Sequence, residues 1–200
     1  MRWTLCLLVV GGCAASADLT RTEPVTAATL ALVADSLAVA SGGRRAAAAR
    51  RLAVAGVTPL ADGGFTWGPV VGGYLPGRHA LGRPQLVVVG APLGSADVPA
   101  LLEAVRGIAG RSEENLPERT ILVALWDASR GGSLASAVGP PLWPREAVVS
   151  VVTLGGVSPD GRIPVVPVEP DADPYALAAR LTGALLQASR YVSAPADSLP

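Results

Sequence analysis

Three apolar runs dominate the patterning of the chain: residues 86–89, which are unbroken, and the longer stretches 120–126 and 147–154, all rich in β-branched side chains. Runs of this length and composition read as strands buried on both faces. Residues 98–109 follow the first run with helical spacing and stop at Gly110, and Ser95, Ala96 and Asp97 stand where a cap belongs. A buried strand passing directly into a helix is the first half of a βαβ unit. Ligands sit at the carboxyl end of such strands, here Ala91, Pro92, Leu93 and Gly94. None of those four side chains can bind a metal, move a proton or attack a carbon.

Weaker patterns fill in the remainder. Residues 26–40, with Thr26 as cap, and the alanine-rich residues 44–55, ending at Gly56, predict two helices. Residues 65–74 are glycine-rich and β-prone and predict one or two outer strands, followed by a turn at 75–78. A short helix is expected over 133–138, and a strand over 163–168 that Pro164 and Pro167 push to an edge. Asp173 and Pro174 open a last helix with Leu177, Leu181, Ala184, Leu185 and Ala188 on one face. Strands alternating with helices predict an α/β fold built on a mostly parallel sheet.

Composition narrows the class. Half of the 200 residues are apolar and 16% are charged, which fits one domain with a real core and excludes a disordered tail. Sixteen basic residues balance sixteen acidic ones, with no basic stripe or aromatic stacking platform, so no nucleic-acid partner is expected. The bias toward Ala, Val, Gly, Pro and Arg suggests a GC-rich bacterial genome. Both cysteines, Cys6 and Cys13, lie near the N-terminus, which leaves the body without a disulfide or thiolate site.

Residues 1–17 have the pattern of an export signal: Arg2, an apolar core over 5–10, and Ala15-Ser16-Ala17 before Asp18. Val10-Gly11-Gly12-Cys13 also resembles a bacterial lipobox, in which Cys13 carries a lipid and becomes the mature N-terminus. Two destinations stay open: a lipid-anchored envelope or periplasmic protein, and a soluble secreted one. The apolar run is too short to span a membrane, and no transmembrane span is expected in the mature chain. The expected organisation is a signal over 1–17, a single α/β domain over 18–192 and a loose tail over 193–200.

Several segments, in order, resemble one family. Residues 46–60 (AAAARRLAVAGVTPL) are similar to a helix and "GL.P" turn, and residues 71–78 (VGGYLPGR) to "NVIGYLPG". Residues 86–94 are similar to "YVVVGAHYD", and residues 97–104 to the start of "GVAALLELAR". Residues 119–130 resemble "RSILFVAFTGEE", with Trp126-Asp127-Ala128 like its "WDAEE" variant, and residues 152–158 resemble "INLDMVG". These are motifs of the co-catalytic di-zinc exopeptidases of the aminopeptidase S and aminopeptidase Y type, peptidase family M twenty-eight. The resemblance covers about residues 25 to 160 and implies a three-layer α/β/α, zinc-exopeptidase-like fold.

In that family a His, a bridging Asp, a Glu, an Asp and a later His hold two zinc ions, and a neighbouring Glu is the general base. Carried onto this chain, the first ligand position is Pro92 and the acidic position after it is Gly94. The loop of the bridging aspartate is missing, because Gly94-Ser95-Ala96 runs straight into the helix. The paired glutamates fall on Ser129 and Arg130, the "NLD" aspartate falls on Gly155, and no histidine follows His79. The resemblance therefore implies a pseudo-peptidase with no zinc or other cofactor. It would bind or scaffold a protein or peptide partner, or an active relative in the envelope.

Two other readings stay open. One is an active metallo-aminopeptidase-like hydrolase with an atypical site built from Asp97, Asp127 and Ser129. The other is a truncated or decayed relative whose sheet lacks an edge. No Gly-x-Ser-x-Gly elbow and no glycine-rich phosphate loop occurs. His79, the only histidine, lies in an arginine- and glycine-rich turn without a nucleophile beside it. Arg44, Arg45, Arg50 and Arg51 are read as a solvated helix face in preference to an anion site. Glu113 and Glu114 are read as loop solvation, Asp171 and Asp173 as helix capping, and Trp67, Trp126 and Trp143 as packing ahead of groove lining.

Overall fold

Each of the three apolar runs is a strand, and the helices follow the expected spacing. The computed structural model describes residues 43–60, 64–78, 85–137, 145–154 and 163–190. In chain order these form α1 (Arg44–Val54), β1 (Thr58–Pro59), β2 (Thr66–Trp67), β3 (Val70–Leu75) and β4 (Leu86–Pro92). There follow α2 (Val98–Ala109), β5 (Thr120–Trp126), α3 (Leu134–Ala137), β6 (Val148–Leu154), β7 (Val165–Val168) and α4 (Pro174–Ser189). The expected helix over 26–40, His79, Trp143, Gly155, the signal segment with Cys13 and the tail over 193–200 lie outside the described residues.

The fold is mixed α/β, with one seven-stranded sheet ordered β1-β3-β5-β4-β6-β7 and β2 also paired to β3. β4 pairs in parallel with β5 and β6, and β6 with β7. β3 is antiparallel to β5, to β1 and to β2. Among the described strands β3 alone therefore runs against the rest, and the sheet is mostly parallel.

Why the central strands read as continuous apolar runs is visible in their two faces. Val87, Val89 and Ala91 of β4 and Ile121, Val123 and Leu125 of β5 join a core with Leu52 of α1, Leu101, Val105 and Ile108 of α2, and Leu181 and Leu185 of α4. The alternate residues Leu86, Val88 and Leu122 pack on the other face with Val148 and Val151, against Leu60, Leu134, Ala147 and Ile163. Leu86 to Val89 and Ile121 to Leu125 are all fully buried. Each Val, Leu or Ile side chain among them contributes about 1.5–3 kcal/mol.

Three local expectations change. The glycine-rich stretch forms two strands, of which only β2 is outer: β3 lies between β1 and β5 and is buried along most of its length. Its glycines serve close packing, since a Cβ on Gly72 would overlap the Val123 carbonyl and stand 3.0 Å from the Trp67 ring. Asp97 precedes α2 without capping it through its side chain. Its carboxylate instead accepts from Ser95 Oγ at 2.9 Å, and Ser95 Oγ accepts from the Asp97 N–H at 3.2 Å. By contrast, Asp173 caps α4, its Oδ1 accepting from the Tyr175 N–H at 2.9 Å, and β7 is an edge strand as expected.

The amino ends of β4 and β5 are clamped from outside. Arg119, just before β5, donates from Nε to Gln85 Oε1 at 2.7 Å, and from Nη1 to the carbonyls of Arg190 at 2.8 Å and Ala188 at 3.3 Å. Gly77 donates its N–H to Thr120 Oγ1 at 3.3 Å. These bonds tie the end of α4 and the turn after β3 to the start of the central strands. No helix among the described residues is long and apolar enough to cross a membrane.

Candidate functional site

At the opposite end, β4 and β5 finish side by side, with Pro92 paired to Trp126. The Leu93 N–H donates to the Trp126 carbonyl at 2.8 Å, and the Asp127 N–H donates to the Pro69 carbonyl at 2.9 Å. The two chains then diverge, one toward α2 and the other into a single turn over Ala128–Arg130. A crevice at the carboxyl ends of adjacent parallel strands is where open α/β sheets hold ligands.

Asp127 organises that turn. Its Oδ1 accepts from the Ser129 N–H at 3.1 Å and from the Ser129 hydroxyl, and its Oδ2 lies 3.6 Å from Arg130 Nε. Gly131 closes the turn at a φ of 71°, a left-handed conformation that glycine adopts without steric cost. The hydrogen bond from the Ser129 hydroxyl, with those of its N–H and the charges of Arg130 and Arg45, lowers the Asp127 pKa below the ordinary carboxylate value, against partial desolvation. Asp127 is thus an anion already committed to its own loop.

The third wall is the start of α1. Its N-cap residue, Gly43, supplies no side-chain cap, and the first turn holds no acidic residue. Arg44 and Arg45 occupy that first turn. Arg45 Nη2 donates to the Gly68 carbonyl at 2.6 Å, while its Nη1 is buried without a protein acceptor. Arg44 lies over the β4 end, its Nη1 3.4 Å from where a Cβ on Gly94 would stand.

Together these elements enclose a cleft of about 500 Å³ lined by Arg44, Arg45, residues 92–94 and residues 126–130. Four sequence-predicted site positions, Pro92, Gly94, Ser129 and Arg130, therefore meet there. The fifth, Gly155, lies outside the described residues. Asp127 and Ser129 are in hydrogen-bond contact, but Asp97 is not in the lining and is bonded to Ser95.

The lining does not fit a pair of zinc ions. Zinc requires several imidazole, thiolate or carboxylate donors. The cleft offers the single carboxylate of Asp127, held by Ser129, and sets three guanidinium groups beside it. Among the described residues no group of three or more His, Cys, Asp or Glu side chains is placed to hold a metal ion.

Arg44 and Arg45 correct the sequence reading in part: both line the cleft, Arg44 exposed and Arg45 half-buried, while Arg50 is a solvated residue of the same helix. A signal was present in two adjacent arginines directly after Gly42-Gly43 with no acid in the first helical turn, the reverse of the usual charge preference. Trp126 combines both of its expected roles, packing on Val70 and Ala124 and lining the cleft. Protein-family models, curated proteins and solved structures give no match to this chain.

Proposed function

We propose that this chain is an exported, non-catalytic zinc-exopeptidase-like domain of three-layer α/β/α design, serving as a binding or scaffolding module in the cell envelope. The ordered resemblance over residues 25 to 160 supports the relationship to the di-zinc exopeptidases. The observation that carries the reading is the meeting of Pro92, Gly94, Ser129 and Arg130, from two distant segments, in one cleft at the strand ends. A cleft that keeps its place while its lining turns from metal donors to arginine, proline and glycine has a use other than metal-assisted hydrolysis. Export follows from the pattern of residues 1–17, with Cys13 as the point of lipid attachment in the anchored form.

Zinc loading tests this reading. Purified protein dialysed against zinc is expected to hold far less than one equivalent and to leave aminoacyl-p-nitroanilides uncleaved. Two equivalents of zinc with aminopeptidase activity would overturn it.

A further inference from the structure

We propose that the cleft at the carboxyl ends of β4 and β5 binds the phosphate or carboxylate group of a small organic anion, held by Arg44, Arg45 and Arg130. This deepens the reading of the cleft as a binding site and rests on it. The charge balance is the first argument: three guanidinium groups face one carboxylate across about 500 Å³. Asp127 is occupied by Ser129 and approaches Arg130 only at 3.6 Å, so the wall keeps an excess of positive charge.

Arg45 gives an independent argument. Its Nη1 is buried without a protein acceptor, and an unpaired buried donor on a charged group is costly. A negative ligand in the cleft lowers that cost through its charge, since Nη1 itself has no surface open to the cleft. The start of α1 adds a third. Arginine in the first turn of a helix opposes the macrodipole, and Arg44 and Arg45 do so together at an end with no side-chain cap. An anion bound there offsets both charges that oppose the dipole and gives the Arg44 guanidinium an acceptor. α1 has 11 residues, long enough for that terminus to be established.

The remainder of the lining describes the rest of the ligand. Pro92, Leu93 and the partly buried Trp126 give an apolar wall beside the cationic one. The volume exceeds that of a bare phosphate and accommodates a ring or short chain attached to it. Planar guanidinium groups accept carboxylate and phosphate equally well, so the two headgroups are separated by experiment.

Isothermal titration of the full chain with inorganic phosphate, phenyl phosphate and phenylacetate provides the test. At least one phenyl compound is expected to bind, more tightly than inorganic phosphate and less tightly at high salt. The tighter of the two phenyl compounds identifies the headgroup. Arg44→Ala with Arg130→Ala is expected to weaken binding about tenfold or more, because each removes a charge-assisted bond. Arg44→Lys with Arg130→Lys should restore part of it. Arg180→Ala, which removes a distant ion pair with Asp171, should leave it unchanged. No binding by any of the three compounds, or equal binding by the wild type and the double alanine variant, would overturn the proposal. Those results leave the pseudo-peptidase reading intact, whereas zinc occupancy with hydrolysis defeats that reading whatever the anion result.

Discussion

The two ends of the β4–β5 pair use the same residue type in opposite ways. At the amino end, Arg119 directs its guanidinium to Gln85 and to the carbonyls of Ala188 and Arg190, joining β5 to the strand beside it and to the last helix. At the carboxyl end, Arg44 and Arg130 face an open cleft, and one nitrogen of Arg45 has no protein acceptor. Arginine with its donors matched to backbone oxygens stabilises a fold. Arginine left facing empty space beside a helix N-terminus adds electrostatic strain that a ligand relieves. A charge count over the whole chain, balanced at sixteen against sixteen, conceals that asymmetry.

The contrast makes the substitutions at each end differ in kind. The largest effect is expected for Arg119→Ala, which loses several hydrogen bonds to a charged group and should lower unfolding free energy by about 2–3 kcal/mol. Urea denaturation measures it. Anion binding by the folded fraction should be unaffected, and a loss of binding equal to that of the cleft variants would erase the distinction between the ends. Next comes Arg44→Glu, which places an acid in the first turn of α1. It should raise stability by about 0.5 kcal/mol while weakening anion binding. A variant that becomes more stable as it loses its ligand marks a residue kept for binding; a stability loss instead would make Arg44 a structural residue.

The smallest effect concerns acid. The folded-state pKa of Asp127 is lowered, first by the Ser129 hydroxyl and then by the Ser129 N–H, Arg130 and Arg45, against some desolvation. A lowered pKa gives stability that is present above the unfolded value of about 4 and is lost as pH falls through the lower folded value. Asp127→Asn should therefore lower the urea midpoint slightly at neutral pH and converge with the wild type in acid, so that its decline below about pH 4 is flatter. A steeper acid decline in Asp127→Asn than in the wild type would show that the carboxylate is not stabilised by its loop.

Much of the scaffold was legible because burial on both faces leaves an unmistakable record. The strands β4, β5 and β6 coincide with apolar runs, α2 and α4 with helical spacing, and Asp173 with a working cap. What misled was β3, where Gly72 and Gly73 looked like signs of an exposed strand but mark close approach of Val123, Trp67 and Thr58. The β4 and β5 parts of the cleft were also legible, since Pro92, Gly94, Ser129 and Arg130 follow directly from the ends of two predicted strands. The third wall was not. Spacing along α1 says which residues share a helix face but not that its first turn reaches the end of a strand some fifty residues later. Arg44 and Arg45 therefore read as solvated charge, and their joining with Arg130 is a property of the folded chain.

The most direct test observes the arginines themselves. In a two-dimensional NMR spectrum of the Nε–Hε groups, titration with phenyl phosphate or phenylacetate is predicted to move the signals of Arg44, Arg45 and Arg130 and to leave Arg119 and Arg106 in place. Uniform small shifts across all arginines, or none at the cleft, would contradict an anion site at the carboxyl ends of the central strands.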